Sequence, residues 1–277
     1  MSTPAAGAGR VVVVTGGTRG IGLGLAHALL ARGCKVVICG RSDAAVTKAL
    51  AELDGDVTGL ATDVTDRAAV QALWDHAVAT FGRVDVWINN AGISAARGPF
   101  AEVPEATVAD VLRTNVLGAY NGSAVAQAAM AGQPGGGWIW NMEGFGSRGE
   151  HQPGMEPYGA SKRAVSHLTE ALVRETKGTP VKVGFLSPGI VATDLLVGDY
   201  DGRPDEFEKV KKIFNILGDR VETVTPWLAD GVLAATKHGA RVAWLTKPKA
   251  MGRFMTAAFR KRDIFADTPT PAAAGAR

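Results

Sequence analysis

At 277 residues the chain is sized for one large domain, or a domain with an appendage, long enough to bury about 75% of its unfolded surface. Its composition, 46% hydrophobic and 21% charged, is that of an ordinary globular protein. A net charge of +3 gives no ground for a nucleic-acid partner, and no apolar run approaches the ~18 residues that would span a bilayer.

Residues 1–9 and 269–277 are rich in Ala, Gly and Pro, and disorder is expected at both ends. The N-terminus has neither a signal-peptide core nor the Ser/Arg-rich leader of a plastid protein, so a bacterial source or a removed leader is expected. Between the ends, residues 10–268 read as a single domain. Val11–Val14 is an apolar run that stops at the turn Thr15-Gly16-Gly17-Thr18-Arg19-Gly20-Ile21-Gly22; Ile21, Leu25, Ala28 and Leu29 then recur at helical spacing. A helix that opens on glycines presents free N–H groups and a positive dipole end, which suits a pyrophosphate. The spacing G-x-x-x-G-x-G differs from the G-x-G-x-x-G fingerprint.

A second strand, Lys35 to Cys39, leads to Gly40-Arg41-Ser42. NAD sites place an acid at this strand end, whereas an arginine accommodates the 2′-phosphate of NADP. Arg41 and Ser42 stand there, with Arg19 in the glycine turn, so NADPH/NADP+ is the expected cofactor. Asp43, one step later, keeps NADH open. Cys34 and Cys39 flank this strand with side chains toward opposite faces. No disulfide is expected between them, which fits a reducing cytoplasm.

Thr58 to Thr62 leads to Asp63 and Val64, where adenine would be bounded. Val84 to Ile88 leads to Asn89-Asn90-Ala91-Gly92, small residues that allow close approach to a cofactor. Further strands are expected at Gly137–Asn141, Val181–Leu186 and Arg241–Leu245. Seven strands alternating with helices predict an α/β, Rossmann-type doubly wound fold: a parallel sheet with helices on both faces and the site beyond the carboxyl ends of the strands.

Tyr158 and Lys162 are four apart and share a helix face. A nearby ammonium lowers the phenol pKa from about 10, which would make Tyr158 a general acid or base. Glu143 is open to two readings, a contact for Ser147 or substrate and a capped or solvated carboxylate; His151 reads as a surface residue. No histidine and acid pair has metal-ligand spacing, so no metal is expected. Residues 195–225 read as a lid, polar at first and then amphipathic through Phe207, Val210, Ile213, Phe214 and Leu217. The basic stretch 247–262 carries Met251, Phe254, Met255 and Phe259, a face for a subunit contact or for peripheral contact with a membrane.

Thr15-Gly16-(x3)-Gly20-Ile21-Gly22, Asn89-Asn90-Ala91-Gly92, Asn115 in Thr-Asn-Val, Tyr158-(x3)-Lys162 and Pro188-Gly189-(x3)-Thr193 follow one another over residues 10–200. In this the chain resembles the short-chain dehydrogenase/reductases. The resemblance implies that Tyr158 exchanges the substrate proton, that Lys162 lowers its pKa and binds the nicotinamide ribose, and that Asn115 holds a water in a relay. It implies cofactor contacts at Gly16, Thr18, Arg19, Gly20, Ile21, Gly22, Arg41, Ser42, Asp63, Val64, Asn90, Ala91, Gly92, Pro188, Gly189, Val191 and Thr193, and a homodimer or homotetramer.

One motif departs. Aligned from Asn141, the family's catalytic serine falls on Gly144, and Ser147 comes three residues later. A bend through Gly144 and Gly146 would return Ser147 to the carbonyl; the alternative is a hydroxyl that caps a loop. Asn141-Met142-Glu143-Gly144-Phe145-Gly146-Ser147, Tyr158-Gly159-Ala160-Ser161-Lys162-Arg163 and Phe214-Asn215-Ile216-Leu217 resemble the chlorophyll(ide) b reductases, which reduce a 7-formyl group to hydroxymethyl. The expected activity is NADPH-dependent reduction of a small-molecule carbonyl. The alternatives are a dehydrogenase for another bulky lipophilic substrate and, in a different class, a nucleotide-binding protein without turnover.

Overall fold

The computed structural model describes residues 7–257, 259–266 and 271. Seven parallel strands run β1 (Val11–Val14), β2 (Lys35–Gly40), β3 (Val57–Ala61), β4 (Val86–Asn89), β5 (Gly137–Met142), β6 (Val181–Ser187) and, after two short strands defined below, β9 (Ala240–Ala243). Their order in the sheet is β3-β2-β1-β4-β5-β6-β9. The chain therefore reverses its direction of travel between β1 and β4, and that switch point opens a crevice at the strand ends.

Helices cover both faces, so the central strands β1 and β4 are buried along their whole length instead of alternating. In β1, Val12 and Val14 enter one buried cluster with Leu25, Leu29, Leu228 and Val232. Val13 points to the other, with Leu73, Trp74, Trp87 and Met130. The first cluster is closed by α1 (Gly20–Leu30) and α9 (Val221–Ala234), the second by α3 (Arg67–Phe81) and α5 (Gly118–Gly132). Cys34 lies in the first cluster and Cys39 in the second, on opposite sides of the sheet.

The remaining helices are α2 (Asp43–Glu52), α4 (Glu105–Leu112), α6 (Glu156–Glu175), α7 (Asp194–Gly198), α8 (Pro204–Leu217) and α10 (Lys247–Thr256). A π-helical turn, Arg113–Leu117, joins α4 to α5. Two short strands, β7 (Val191–Ala192) and β8 (Asp219–Arg220), pair in parallel at the edge of the crevice.

The segment expected to be a lid carries its own small core. Val197, Tyr200, Phe207 and Phe214 pack with Ile264 and Phe265, and Phe207 and Phe265 meet edge to face at 5.1 Å. Ile213, expected on the same face, is exposed. In α10 no side chain is buried, and Met251, Phe254, Met255 and Phe259 are exposed.

Of the expected N-terminal tail, residues 7–9 form a turn in which the Gly9 N–H donates to Gly33 O at 2.9 Å and the Arg10 N–H to Gly7 O at 3.0 Å. Residues 1–6, and the expected C-terminal tail apart from residue 271, lie outside the described residues. Among the described residues no helix is long and apolar enough to cross a membrane.

Candidate active site

The strand ends at the switch point frame one long cleft of about 280 Å³. One end is built by the glycine turn. Gly16 and Gly20 have φ of 63° and 52°, left-handed values that a side chain disfavours. A Cβ on Gly22 would collide with Gly16 O and come within 2.6 Å of Asn90 Nδ2. Asn90 braces the same turn, its Nδ2 donating to Thr15 O (2.9 Å) and Gly16 O (3.1 Å). No side chain caps α1, so its leading N–H groups face the cleft unclaimed by a cap. A bare helix start behind a cradle too tight for Cβ atoms fits a dinucleotide pyrophosphate. Arg19, Gly40, Arg41, Asp63 and Val64 line the adjoining wall, and both guanidiniums are exposed. A bound nicotinamide cofactor would be held by these groups and, in its reduced form, would supply a hydride.

At the other end α6 presents Tyr158 and Lys162 to the cleft. Lys162 Nζ donates to Met142 O at 3.2 Å and lies 5.6 Å from the centre of the Tyr158 ring. The ordinary direction of both groups is reversed by burial. Lys162 is pushed down to about 8 by desolvation, which the charge of Glu143 opposes. Tyr158 is raised above the usual phenol value by desolvation, and Asp199 adds to the shift. The expected lowering of Tyr158 by Lys162 is not seen: burial and the charge of Asp199 both push the phenol up. The consequence is a hydroxyl that holds its proton at neutral pH and can donate it to an oxyanion.

Three expected site residues do not reach the cleft wall. Ser42 caps α2, its Oγ accepting from the Ala45 N–H at 3.3 Å. Asn115 sits buried in the π-helical turn, its Oδ1 accepting from the Ile93 N–H (2.8 Å) and its Nδ2 donating to Ile93 O and Ser161 Oγ (2.9 Å each). A Cβ on Gly92 would lie 3.2 Å from Asn115 Oδ1 and 3.6 Å from Lys162 Nζ, so Asn115 and Lys162 converge behind Gly92.

Ser147 is the third, and of its two expected readings its contacts are those of the hydroxyl that caps a loop. The glycine bend exists, with Gly146 at φ 95° and the Ser147 N–H donating to Gly144 O at 3.1 Å. It turns the hydroxyl inward, where Oγ accepts from the Gly144 N–H (3.0 Å) and donates to Lys162 O (3.3 Å). Ser147 therefore ties the bend to α6. Ser147→Ala is expected to lower stability by about 1–3 kcal/mol, because it orphans a buried amide, and to leave kcat within a few-fold of wild type. Denaturant midpoints and kcat measured together check this; unchanged stability with a large loss of kcat would contradict it.

Gly144 offers no replacement. A Cβ there would overlap the Tyr158 hydroxyl and approach Lys162 Cγ at 3.1 Å, so a serine at this position would displace the tyrosine. Asn141 is committed elsewhere: Asn89 Nδ2 donates to Asn141 Oδ1 (2.7 Å), and Asn141 Nδ2 donates to Thr169 Oγ1 (2.9 Å). This buried network pins β4 and β5 to α6. Glu143 is buried, paired with Arg241 and accepting from Ser166, with Oε2 unpartnered. Of its expected readings the capped carboxylate describes these contacts; Ser147 is not among its partners, and Glu143 also lines the cleft. His151 is exposed.

Sequence reasoning left the lining residues Ser94 and Met155 unnamed, and took Leu195, Leu196 and Asp199 only as part of the lid. Leu195 and Leu196 carried a signal in their apolar character just after Thr193. Ser94 carried none.

The family model of the short chain dehydrogenases matches residues 10–203. The chain is a short-chain dehydrogenase. Over 258 residues it is 36% identical to the chlorophyll(ide) b reductase NOL of Oryza sativa subsp. japonica, covering 88% of this chain and 74% of that protein. It is 31% identical to the probable chlorophyll(ide) b reductase NYC1 of Arabidopsis thaliana, across 93% of this chain but 55% of that one, so it spans about half of that longer relative. Levodione reductase shares the fold with a TM-score of 0.79 at 24% identity, over 88% of this chain and 99% of its own. A 3-ketoacyl-(acyl-carrier-protein) reductase from Brucella melitensis, solved with NADH, aligns with a TM-score of 0.75 at 25% identity, over 86% of this chain and 97% of its own. As a member of this family the chain is an oxidoreductase that uses a nicotinamide cofactor.

Proposed function

We propose that this short-chain dehydrogenase reduces a bulky aldehyde or ketone to an alcohol with NADPH, and that a formyl-bearing tetrapyrrole of the chlorophyllide b type is within its substrate range. The observation that carries the reading is that Tyr158 and Lys162, 5.6 Å from ring centre to Nζ, line the same cleft as the glycine cradle. In the reduction Tyr158 donates its proton to the carbonyl oxygen. Lys162 anchors the cofactor ribose, and Asn115 supports the loop that carries Ile93. The apolar walls formed by Phe145, Met155, Ile190, Leu195 and Leu196 suit a lipophilic substrate, with α7 and α8 as its lid. The relatives that reduce chlorophyll(ide) b favour a formyl group. The 35% identity to a 3alpha-hydroxysteroid dehydrogenase of Mediterraneibacter gnavus, over 68% of this chain, favours the second reading, another bulky lipophilic alcohol or ketone. Exposed Leu112, Leu117 and Tyr120 on α4, the π-helical turn and α5 support a homo-oligomer, and we place the enzyme in the cytoplasm.

The preference for NADPH rests on Arg19 and Arg41, with no acid between Gly40 and Ser42. Losing one charge-assisted contact costs about 1.5–3 kcal/mol, so Arg41→Ala is expected to raise the KM for NADPH roughly tenfold or more and to leave that for NADH nearly unchanged. Wild-type enzyme that uses NADH as well as NADPH would refute the assignment. Steady-state kinetics with both cofactors decides it. The substrate is tested by following the absorption spectrum of chlorophyllide b beside a panel of aldehydes and bulky ketones.

A further inference from the structure

The active site lacks the hydroxyl that a serine at position 144 would supply, yet the wall near Tyr158 is not apolar. Ser94, from the loop after β4, and Asp199, at the C-terminal end of α7, line the same cleft. Asp199 is only 5% exposed, and its carbonyl accepts from the Arg97 N–H at 3.2 Å, which fixes its backbone. Its carboxyl interacts with the Ser94 side chain, and its charge reaches the Tyr158 hydroxyl. A buried carboxylate is costly unless paired. Arg97, the cation it feels, directs its guanidinium elsewhere: Nη2 lies 3.0 Å from Met155 Sδ, and the group stacks 4.5 Å from the centre of the Tyr200 ring.

We propose that the Asp199 carboxyl, oriented by Ser94, is the second hydrogen-bond donor to the substrate oxygen, in place of the serine that position 144 lacks. The inference rests on the carbonyl-reductase reading. In the reduction the carbonyl carbon takes the hydride of the reduced cofactor and the oxygen takes the proton of Tyr158. Asp199 keeps its own proton and only donates a hydrogen bond, which strengthens as negative charge grows on the oxygen. A carboxylate at this position would instead repel that charge, so the donor must be neutral.

The charged and titratable groups around Asp199 are Arg97 on the loop after β4, Tyr158 on α6 and its neighbour Tyr200, which also feels Arg203 and Glu206. Lys162 and Glu143 line the same cleft. Desolvation raises the carboxyl to about 6, against the lowering effects of Ser94 and Arg97. The neutral donor therefore predominates below that pH and is lost above it.

The test is the pH profile of kcat/KM for reduction, with kcat and KM separated, in wild type, Asp199→Ala, Asp199→Asn and Ser94→Ala. Wild type is expected to fall by up to tenfold per pH unit above pH about 6. Asp199→Ala is expected to lose roughly 10²-fold, mostly in kcat. Asp199→Asn, whose amide donates but does not ionise, is expected to recover at least about tenfold of that loss and to lack the limb near pH 6. Ser94→Ala is expected to move the limb upward, because a group that favours the carboxylate is gone. NADPH affinity and thermal midpoint report whether each variant is folded. If wild type reduces carbonyls and folded Asp199→Asn keeps the same limb, the inference is overturned while the reductase reading stands. If wild type reduces no carbonyl, the reading fails and the inference with it. Should Asp199→Ala and Asp199→Asn both unfold, Asp199 is a structural residue and the inference is overturned.

Discussion

Tyr158→Phe is expected to lower kcat for carbonyl reduction by roughly 10²–10⁴-fold, the range for a positioned general acid, with NADPH affinity little changed. The substitution removes one oxygen and keeps the ring that forms part of the cleft wall. It also relieves the burial of a hydroxyl whose proton is held tightly, so the fold should not suffer. Lys162→Ala is different in kind. Lys162 is 5% exposed and donates to Met142 O at the end of β5, so its loss should reduce both cofactor affinity and rate. Stopped-flow cofactor binding and steady-state kinetics on the two variants separate these effects. Near-normal turnover in Tyr158→Phe would mean that another acid protonates the substrate.

Gly22→Ala should abolish cofactor binding. The added methyl would overlap Gly16 O and press on Asn90 Nδ2, and those groups close the turn by hydrogen bonds at 2.9 and 3.1 Å. Relief requires the helix start to move away from the turn, which dismantles the bare amides that face the pyrophosphate. Overpacking a rigid backbone site costs about 1–3 kcal/mol or more, so a lowered thermal midpoint should accompany the loss. Gly82→Ala is the contrast: a Cβ there meets nothing within 4 Å, although φ is 86°. It should cost stability alone, through backbone strain, and leave NADPH affinity intact. Isothermal titration with NADPH on both variants decides whether the site or general strain is responsible.

The sheet was legible because both of its faces are covered. Val11–Val14 and Val36–Cys39 read as unbroken apolar runs, and glycines punctuate the turns that follow them. The motif residues fell at strand ends for the same reason. The two-residue strands β7 and β8 and the π-helical turn carried no periodic signal, being too short to express one.

Within the site, legibility stopped where a side chain's direction depends on distant backbone. Ser147 has the right type and an acceptable distance along the chain. Its hydroxyl turns away because Gly144 N and Lys162 O claim it, and local spacing cannot reveal a partner on α6. Asp199 sat in the polar opening of the expected lid, where no single carboxylate stands out from its neighbours. The Arg97 N–H, 102 residues earlier in the chain, holds its carbonyl and so helps place Asp199 on the cleft wall. Tyr158 was legible as a residue of the cleft wall but not in its direction of shift, since desolvation depends on the folded surroundings.

The most direct test of the account is the oxidation of NADPH by the purified protein in the presence of chlorophyllide b, bulky aldehydes and bulky ketones, with the alcohol product quantified. The account predicts carbonyl-dependent NADPH oxidation, one alcohol formed per NADPH consumed, and loss of both in Tyr158→Phe. Tight NADPH binding with no carbonyl-dependent oxidation for any member of the panel would contradict it and would leave the chain as a nucleotide-binding protein without turnover.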